Sequence, residues 1–352
     1  MSAAPLILVI PGLSLPAQML HDLSFDLHLP GLSRLLSEGA LDSADLSADV
    51  QPLFQALLRP DQIAPAAPLR LLGLGHPPAQ DHWLCLDPVS LHFRERSVVV
   101  RDPSSLALEI GEAQALLETV SPVFSEFGEL SCTEPRYWHL RMNTPPPEFP
   151  SLPAAVSSQS NVGLCPDRNW RRALNEAQML LHTHPVNLAR NRRGQIVVNS
   201  LWPWGGGCLT SAAPEASAMP VLHTDDALLR GFAHWTGARV TAAPGRFSDA
   251  LLIQPEICLI DLTALRLPAQ SGDAMGWRDA LAGLDRDWFE PLLKARDSGH
   301  IRRKIHIVFP GRESARSLSL PAPGLASGFL RLLGALRQRP NSGSLDQLAE
   351  PL

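Results

Sequence analysis

Short apolar runs alternate along the chain with longer stretches of helical spacing. Leu6-Ile7-Leu8-Val9-Ile10 has no polar interruption and stops at Pro11-Gly12. Such a run reads as a strand of a parallel sheet, buried on both faces and ending in a turn. Ile257-Cys258-Leu259-Ile260, within 256–262, and Ile305-His306-Ile307-Val308-Phe309, within 303–309, read the same way; residues 238–242 form a further short strand pattern. Helical spacing predicts helices over 31–39, with Gly39 at the C-terminal cap, and over 50–59, 226–236, 275–296 and 324–337. A further helix is expected over 167–182, capped by Asp167 and stopped by Pro185. Between 81 and 142 the texture changes. Brief β-like runs at 82–86, 91–94, 97–101, 130–132 and 136–142 surround one helical stretch at 106–119. Residues 144–161 are rich in Pro and Ser, and no internal repeat is visible.

Strands alternating with helices define an α/β fold with a mostly parallel sheet. The change of texture predicts a small inserted α+β module. The expected organisation is a discontinuous core of residues 1–80 and 165–340, the module at 81–145, a connection at 145–164 and a polar tail at 341–352.

With 352 residues, 45% of them hydrophobic, the chain can bury one large core or two medium ones. Its net charge of −5 gives no expectation of nucleic acid or an anionic membrane as partner. Lys294 and Lys304 are the only lysines, so positive charge is carried by arginine. No basic segment opens the chain, and residues 5–12 are too short for a signal or a membrane span. Five cysteines, none in a Cys-x-x-Cys pair, point to a reduced, cytoplasmic protein.

Candidate chemistry concentrates between His184 and Gly207. His184, Asn187, Arg190 and Asn199 supply polar groups suited to an anion, and Trp202 and Trp204 lead into Gly205-Gly206-Gly207. Three glycines let a ligand or another chain segment approach the backbone closely. Without a following Lys-Ser/Thr they are not a P-loop. On the preceding helix Asn175, Gln178 and His182 share one face, either lining a cleft or facing solvent. The indoles admit an equally simple reading as structural residues of a buried strand. His182 and His184 point to different faces, which disfavours a shared metal. The cluster His21-Asp22, Asp26 and His28 reads as a polar loop before Pro30-Gly31 or as a relocated ligand set. In His223-Asp225-Asp226 the pattern makes Asp225 a helix cap. Ser43 and Ser47 sit in no recognisable nucleophile motif.

The pattern His184-Pro185-x-Asn187-x-x-Arg190, Gly194, then Asn199-x-x-Trp202-x-Trp204-Gly205-x-Gly207, resembles the central motif of archaeal-type cofactor-independent phosphoglycerate mutases and their bacterial relatives. Asp87-Pro88-Val89-Ser90-Leu91 and the helix Trp170-Arg171-Arg172 … Asn175-Glu176 … Gln178–His182 resemble a bacterial offshoot of that family, the E-type regulatory proteins of the pathogenicity-factor regulation cluster. The resemblance implies a three-layer domain of the alkaline phosphatase superfamily with an inserted module that closes over substrate. It also implies two divalent metals held by Asp and His at strand ends, which activate a Ser or Thr nucleophile. Here the expected first ligand, directly after the opening strand, is replaced by Pro11. Arg266 and Gln270 stand where Asp and His ligands belong, Asp261 alone remains as a weak metal candidate, and Pro310–Ser314 lack the final Asp-His pair.

Two expectations follow. One is a phosphoglycerate-mutase-like protein without its dinuclear site or any cofactor, kept as a non-catalytic regulatory or sensing protein for a small anionic ligand or a regulatory protein partner. The other is a still-active phosphomutase or phosphohydrolase with a rearranged Mn or Zn set.

Overall fold

The computed structural model describes residues 5–24, 26–43, 64–94, 97–157, 167–209, 221–251, 258–310, 315–323 and 345–349. These fall into two compact units. Unit 1 comprises described residues within 1–54, 216–225 and 237–352, and unit 2 those within 55–215 and 226–236. The second unit is wider than the expected module at 81–145, because the motif stretch pairs with the module's sheet.

In chain order, unit 1 contributes β1 (Leu6–Val9), α1 (Ala17–Ser24), α2 (Pro30–Glu38) and β2 (Ala40–Ser43). Unit 2 follows with α3 (Ala66–Gly73), β3 (His82–Arg94), β4 (Ser97–Arg101), α4 (Ile110–Phe124), β5 (Gly128–Glu134), β6 (Tyr137–Met142), α5 (Leu152–Ser157), α6 (Arg168–His182), α7 (Pro185–Arg192) and β7 (Ser200–Gly207). After β8 (Val221–His223) of unit 1, α8 (Ala227–Thr236) returns to unit 2. Unit 1 is completed by β9 (Val240–Thr241), α9 (Phe247–Leu251), β10 (Cys258–Asp261), α10 (Arg266–Ser271), α11 (Ala274–Leu284), α12 (Glu290–Asp297), β11 (Ile305–Pro310) and β12 (Ala315–Leu320). The helices expected at 50–59 and 324–337 lie outside the described residues.

Unit 1 is built on a sheet of order β2-β12-β11-β1-β10-β8-β9. β11, β1, β10, β8 and β9 run parallel, and β12 and β2 add antiparallel at one edge. The unbroken apolar runs thus sit in the middle of the sheet, as their lack of alternation predicts. Leu6, Leu8, Ile260, Ile305 and Ile307 join one core with helix residues Leu32, Leu35, Leu281 and Leu292. The helix expected at 275–296 is α11 and α12 joined by a π-helical stretch, Asp285–Phe289. That stretch aims Asp285 at α2, whose own N-cap, Leu29, has no side chain able to cap. The Asp285 carboxylate accepts from Gly31 N–H at 3.1 Å and Leu32 N–H at 2.6 Å. Gly39 ends α2 in extended backbone (φ −88°) rather than a left-handed turn. Its small size matters because Leu318 lies where a Cβ would stand.

Unit 2 is an antiparallel sheet of order β4-β3-β6-β5, with β7 also on β3. The two runs expected at 82–86 and 91–94 are one long strand. On α4, Leu116, Val120 and Phe124 are buried with Trp170, Ala173, Ala177 and Leu181 of α6. Phe127 stacks on Trp170 at 4.3 Å. The expected cap Asp167 accepts from Asn169 N–H and Trp170 N–H. Pro185, expected only as a stop, opens the separate helix α7, where a missing N–H costs nothing. α3 and α8 cross at two glycines: a Cβ on Gly73 would stand 1.8 Å from the Ala227 carbonyl oxygen, and one on Gly231 1.7 Å from that of Leu69. The cap of α8 is Asp226, which accepts from Leu228 N–H and Leu229 N–H, not the expected Asp225.

Candidate functional site

Most of the polar groups in the motif between His184 and Gly207 are committed to the protein itself. Arg190, the expected anion contact, is 1% exposed. Its Nε donates to the Ile196 carbonyl oxygen at 2.9 Å, and its terminal nitrogens reach Glu112 and the Leu106 carbonyl oxygen. Asn187 is equally committed, donating to the carbonyls of Leu181 and Val198 and accepting from Val198 N–H. The Asn199 amide pairs with both backbone groups of Leu91, at 2.7 and 2.8 Å, extending the β3–β7 ladder. His184 caps α7 by accepting from Val186 N–H at 3.2 Å, and partial burial lowers its pKa. Gly205, Gly206 and Gly207 admit chain segments: added Cβ atoms would meet Ala66, Pro146 and Pro65 at 2.5–2.6 Å. Trp202 is half-buried and donates to the Pro150 carbonyl. On α6, Asn175 and His182 face solvent, while Gln178 donates to Ser200 Oγ at 2.9 Å. These residues build unit 2.

Trp204 leads to a polar cluster that sequence reasoning missed. Its indole N–H donates to Asp87 at 2.8 Å. Asp87 also receives Trp138 N–H and a two-pronged pair from Arg70 at 2.7 and 2.8 Å. Arg70 Nε donates to His139 Nε2 at 2.9 Å, and its guanidinium lies 4.5 Å from the Tyr137 ring centroid. Because Nε2 accepts, the His139 proton sits on Nδ1, which faces Thr133 Oγ1 at 3.3 Å. Burial and the adjacent Arg70 charge hold the His139 pKa well below its ordinary value. Burial pushes the Tyr137 hydroxyl up to about 12 and raises the Cys85 thiol. Asp87-Pro88 was visible as a motif, but nothing local connects it to Arg70 or His139.

Unit 1 carries a cleft of about 350 Å³ where β8 and β10 end, lined in part by Asp225, Asp261, Thr263, Asp287 and Trp288. The carboxyl ends of parallel strands are where open α/β sheets bind ligands. Asp261 is 2% exposed and accepts from Thr224 Oγ1 at 2.9 Å. Arg266 Nη2 lies 3.8 Å from the same carboxylate oxygen. Asp225 accepts from Ala243 N–H at 3.4 Å, and Asp287 pairs with Arg286. His223 lies buried on β8, with Nδ1 2.6 Å from Thr241 Oγ1, and burial lowers its pKa.

At the expected ligand positions of this edge the described residues are Pro11, Asp261, Arg266 and Gln270. Beyond β1, the turn at Pro11-Gly12 is partly covered by protein: Trp277 Nε1 donates to the Gly12 carbonyl at 2.8 Å, and a Cβ on Gly12 would meet the Leu265 carbonyl oxygen at 2.6 Å. Among the described residues no group of three or more His, Cys, Asp or Glu side chains could hold a metal ion. His21, Asp22, Asp26 and His28 are exposed; Asp22 receives Gln18, and Asp26 pairs with Arg278. Residues 311–314, where the final Asp-His pair was sought, lie outside the described residues, as does Ser47. No described helix is long and apolar enough to cross a membrane.

No protein-family model and no curated protein matches the chain. Solved structures do. A cofactor-independent phosphoglycerate mutase from Thermoplasma acidophilum DSM 1728 is similar with 18% identity over 92% of each chain and a TM-score of 0.43. The PH0037 protein from Pyrococcus horikoshii is similar with 13% identity over 91% of this chain and 88% of that one, with a TM-score of 0.46.

Proposed function

We propose that this chain is a phosphoglycerate-mutase-like protein that does not carry out metal-assisted phosphoryl transfer and acts in the cytoplasm as a binding or regulatory protein. The observation that carries the reading is the guanidinium of Arg266 beside Asp261. Asp261 is the candidate metal carboxylate, and a cation of the protein's own stands near it. An arginine so placed opposes a second positive charge. Pro11, which offers no ligand, and the partly covered turn at Gly12 support the same conclusion. The resemblance across 184–207 is accounted for by residues that shape unit 2, so it carries a fold without carrying a reaction.

The test is metal content by mass spectrometry on untagged protein, before and after incubation with excess Mn²⁺ and Zn²⁺, with an assay of 3- to 2-phosphoglycerate conversion. Sub-stoichiometric metal and no conversion are expected. Tightly held, near-stoichiometric metal with turnover would replace this reading by a second one, a rearranged metal enzyme. Its support is that Asp225, Asp261 and Asp287 line one cleft.

A further inference from the structure

We infer that the solvent face of α6 is a docking surface for an acidic partner protein segment that carries an apolar anchor. α6 buries Trp170, Ala173, Ala177 and Leu181. The opposite stripe, at helical spacing, is Arg168, Arg171, Arg172, Asn175, Glu176, Met179 and Leu180. Met179 is 74% exposed and Leu180 36%, and the next helix exposes Leu188 at 51%. The basic end is costly to the helix itself. Cations in the first turn oppose the helix dipole, and α6 has no acidic residue there. Among the described residues Arg172 pairs with Glu126, while Arg168 and Arg171 make no ion pair. The Asp167 carboxylate is engaged by backbone N–H groups at the cap. Glu176 is the stripe's only acid, so the stripe stays positive on a chain of net charge −5.

Arginine and methionine together are the residues enriched at protein–protein contacts, with an apolar centre and a charged rim. Charge complementarity then makes the occupant acidic. A protein segment fits better than a phosphate surface, because the exposed Met179, Leu180 and Leu188 call for an apolar counterpart that phosphate groups do not supply.

The probe is a fluorescein-labelled helical peptide of about 20 residues with Glu and Leu at heptad spacing, roughly 30 Å long and so able to span the whole of α6. Fluorescence anisotropy with the full chain should show saturable binding. It should weaken about tenfold or more in Arg168→Glu/Arg171→Glu and likewise in Met179→Glu. All three positions are exposed, so the thermal midpoint should stay unchanged, which separates lost docking from lost folding. Absence of peptide binding overturns the inference. So does binding that ignores Met179→Glu, which would be unspecific charge attraction, or equal capture of single-stranded DNA or phosphatidylglycerol vesicles. The surface lies outside the cleft of unit 1, so these outcomes are independent of the metal test above.

Discussion

Each unit holds an Arg–Asp pair whose carboxylate is 1% exposed at the side chain, and the two pairs differ in the reach and exposure of the arginine. Arg70 and Asp87 in unit 2 are 4% and 1% exposed at the side chain, with two parallel bonds of 2.7 and 2.8 Å. Further hydrogen bonds tie Arg70 to the Trp138 carbonyl and His139, and Asp87 to Trp138 N–H and the Trp204 indole. Arg266 and Asp261 in unit 1 approach to 3.8 Å only, and Arg266 is 34% exposed beside an open cleft. A buried pair held by several hydrogen bonds inside the protein specifies packing. A long, half-solvated pair at a cleft contributes little to folding and can exchange partners. The difference separates a brace from a candidate site more reliably than residue type does.

The comparison breaks most visibly at Asp87. Asp87→Ala leaves a buried guanidinium without its counter-charge, which costs about 3–5 kcal/mol. Urea unfolding followed by tryptophan fluorescence should show that loss; a loss under about 1 kcal/mol would mean the cluster is not the brace of unit 2. Next in size is Gly231→Ala at the α3–α8 crossing. The new methyl would stand 1.7 Å from the Leu69 carbonyl oxygen, so the helices must separate at a cost of about 1–3 kcal/mol. A thermal midpoint equal to that of the parent would contradict this contact.

Acid tests the same brace through His139. The folded pKa is depressed below the unfolded value of about 6.5, so the unfolded chain binds more protons between the two values. The contribution of neutral His139 is therefore complete above the unfolded pKa and is lost as pH falls below it toward the folded value. One proton sets a limiting slope of about 1.4 kcal/mol per pH unit. His184, His223 and His306 are shifted in the same direction, so the informative quantity is a difference. Unfolding free energy between pH 7 and pH 5 should fall less steeply in His139→Gln than in the parent, and parallel curves would remove His139 from the brace.

What the sequence made legible follows from the range of the interactions. The central strands could be read because burial on both faces writes an unbroken apolar run, and the cap of α6 because Asp167 acts within three residues. The short strands of unit 2 were visible as texture, but the pairing that adds β7 to them was not. β7 joins β3 through pairs such as Leu86 with Pro203, more than a hundred positions apart. The polar residues from Asn187 to Asn199 looked like a ligand site because composition cannot show that Arg190 reaches Leu106 and Glu112, or that Asn199 reaches Leu91. Arg70 and His139 drew no notice, since each is an isolated polar residue in an apolar stretch. Asp261 and Arg266 were picked out only as ligand positions implied by the resemblance, and their approach to 3.8 Å is visible only in the structure.

The smallest expected effect is the most informative about function. Arg266→Ala removes a half-solvated partner at 3.8 Å, and such pairs contribute about 0–1 kcal/mol, so unfolding should shift by less than that. The electrostatics of the cleft should change far more than its stability. Asp261 would lose its neighbouring positive charge while Asp225 and Asp287 stay on the same wall. Electron paramagnetic resonance with added Mn²⁺ should then detect weak uptake in the variant and none in the parent. Uptake by both would mean that the guanidinium does not oppose a cation, and the argument against metal chemistry would fail with it. A destabilisation as large as that of Asp87→Ala would show that Arg266 and Asp261 form a second brace, and the cleft would lose its standing as the place where unit 1 meets a ligand.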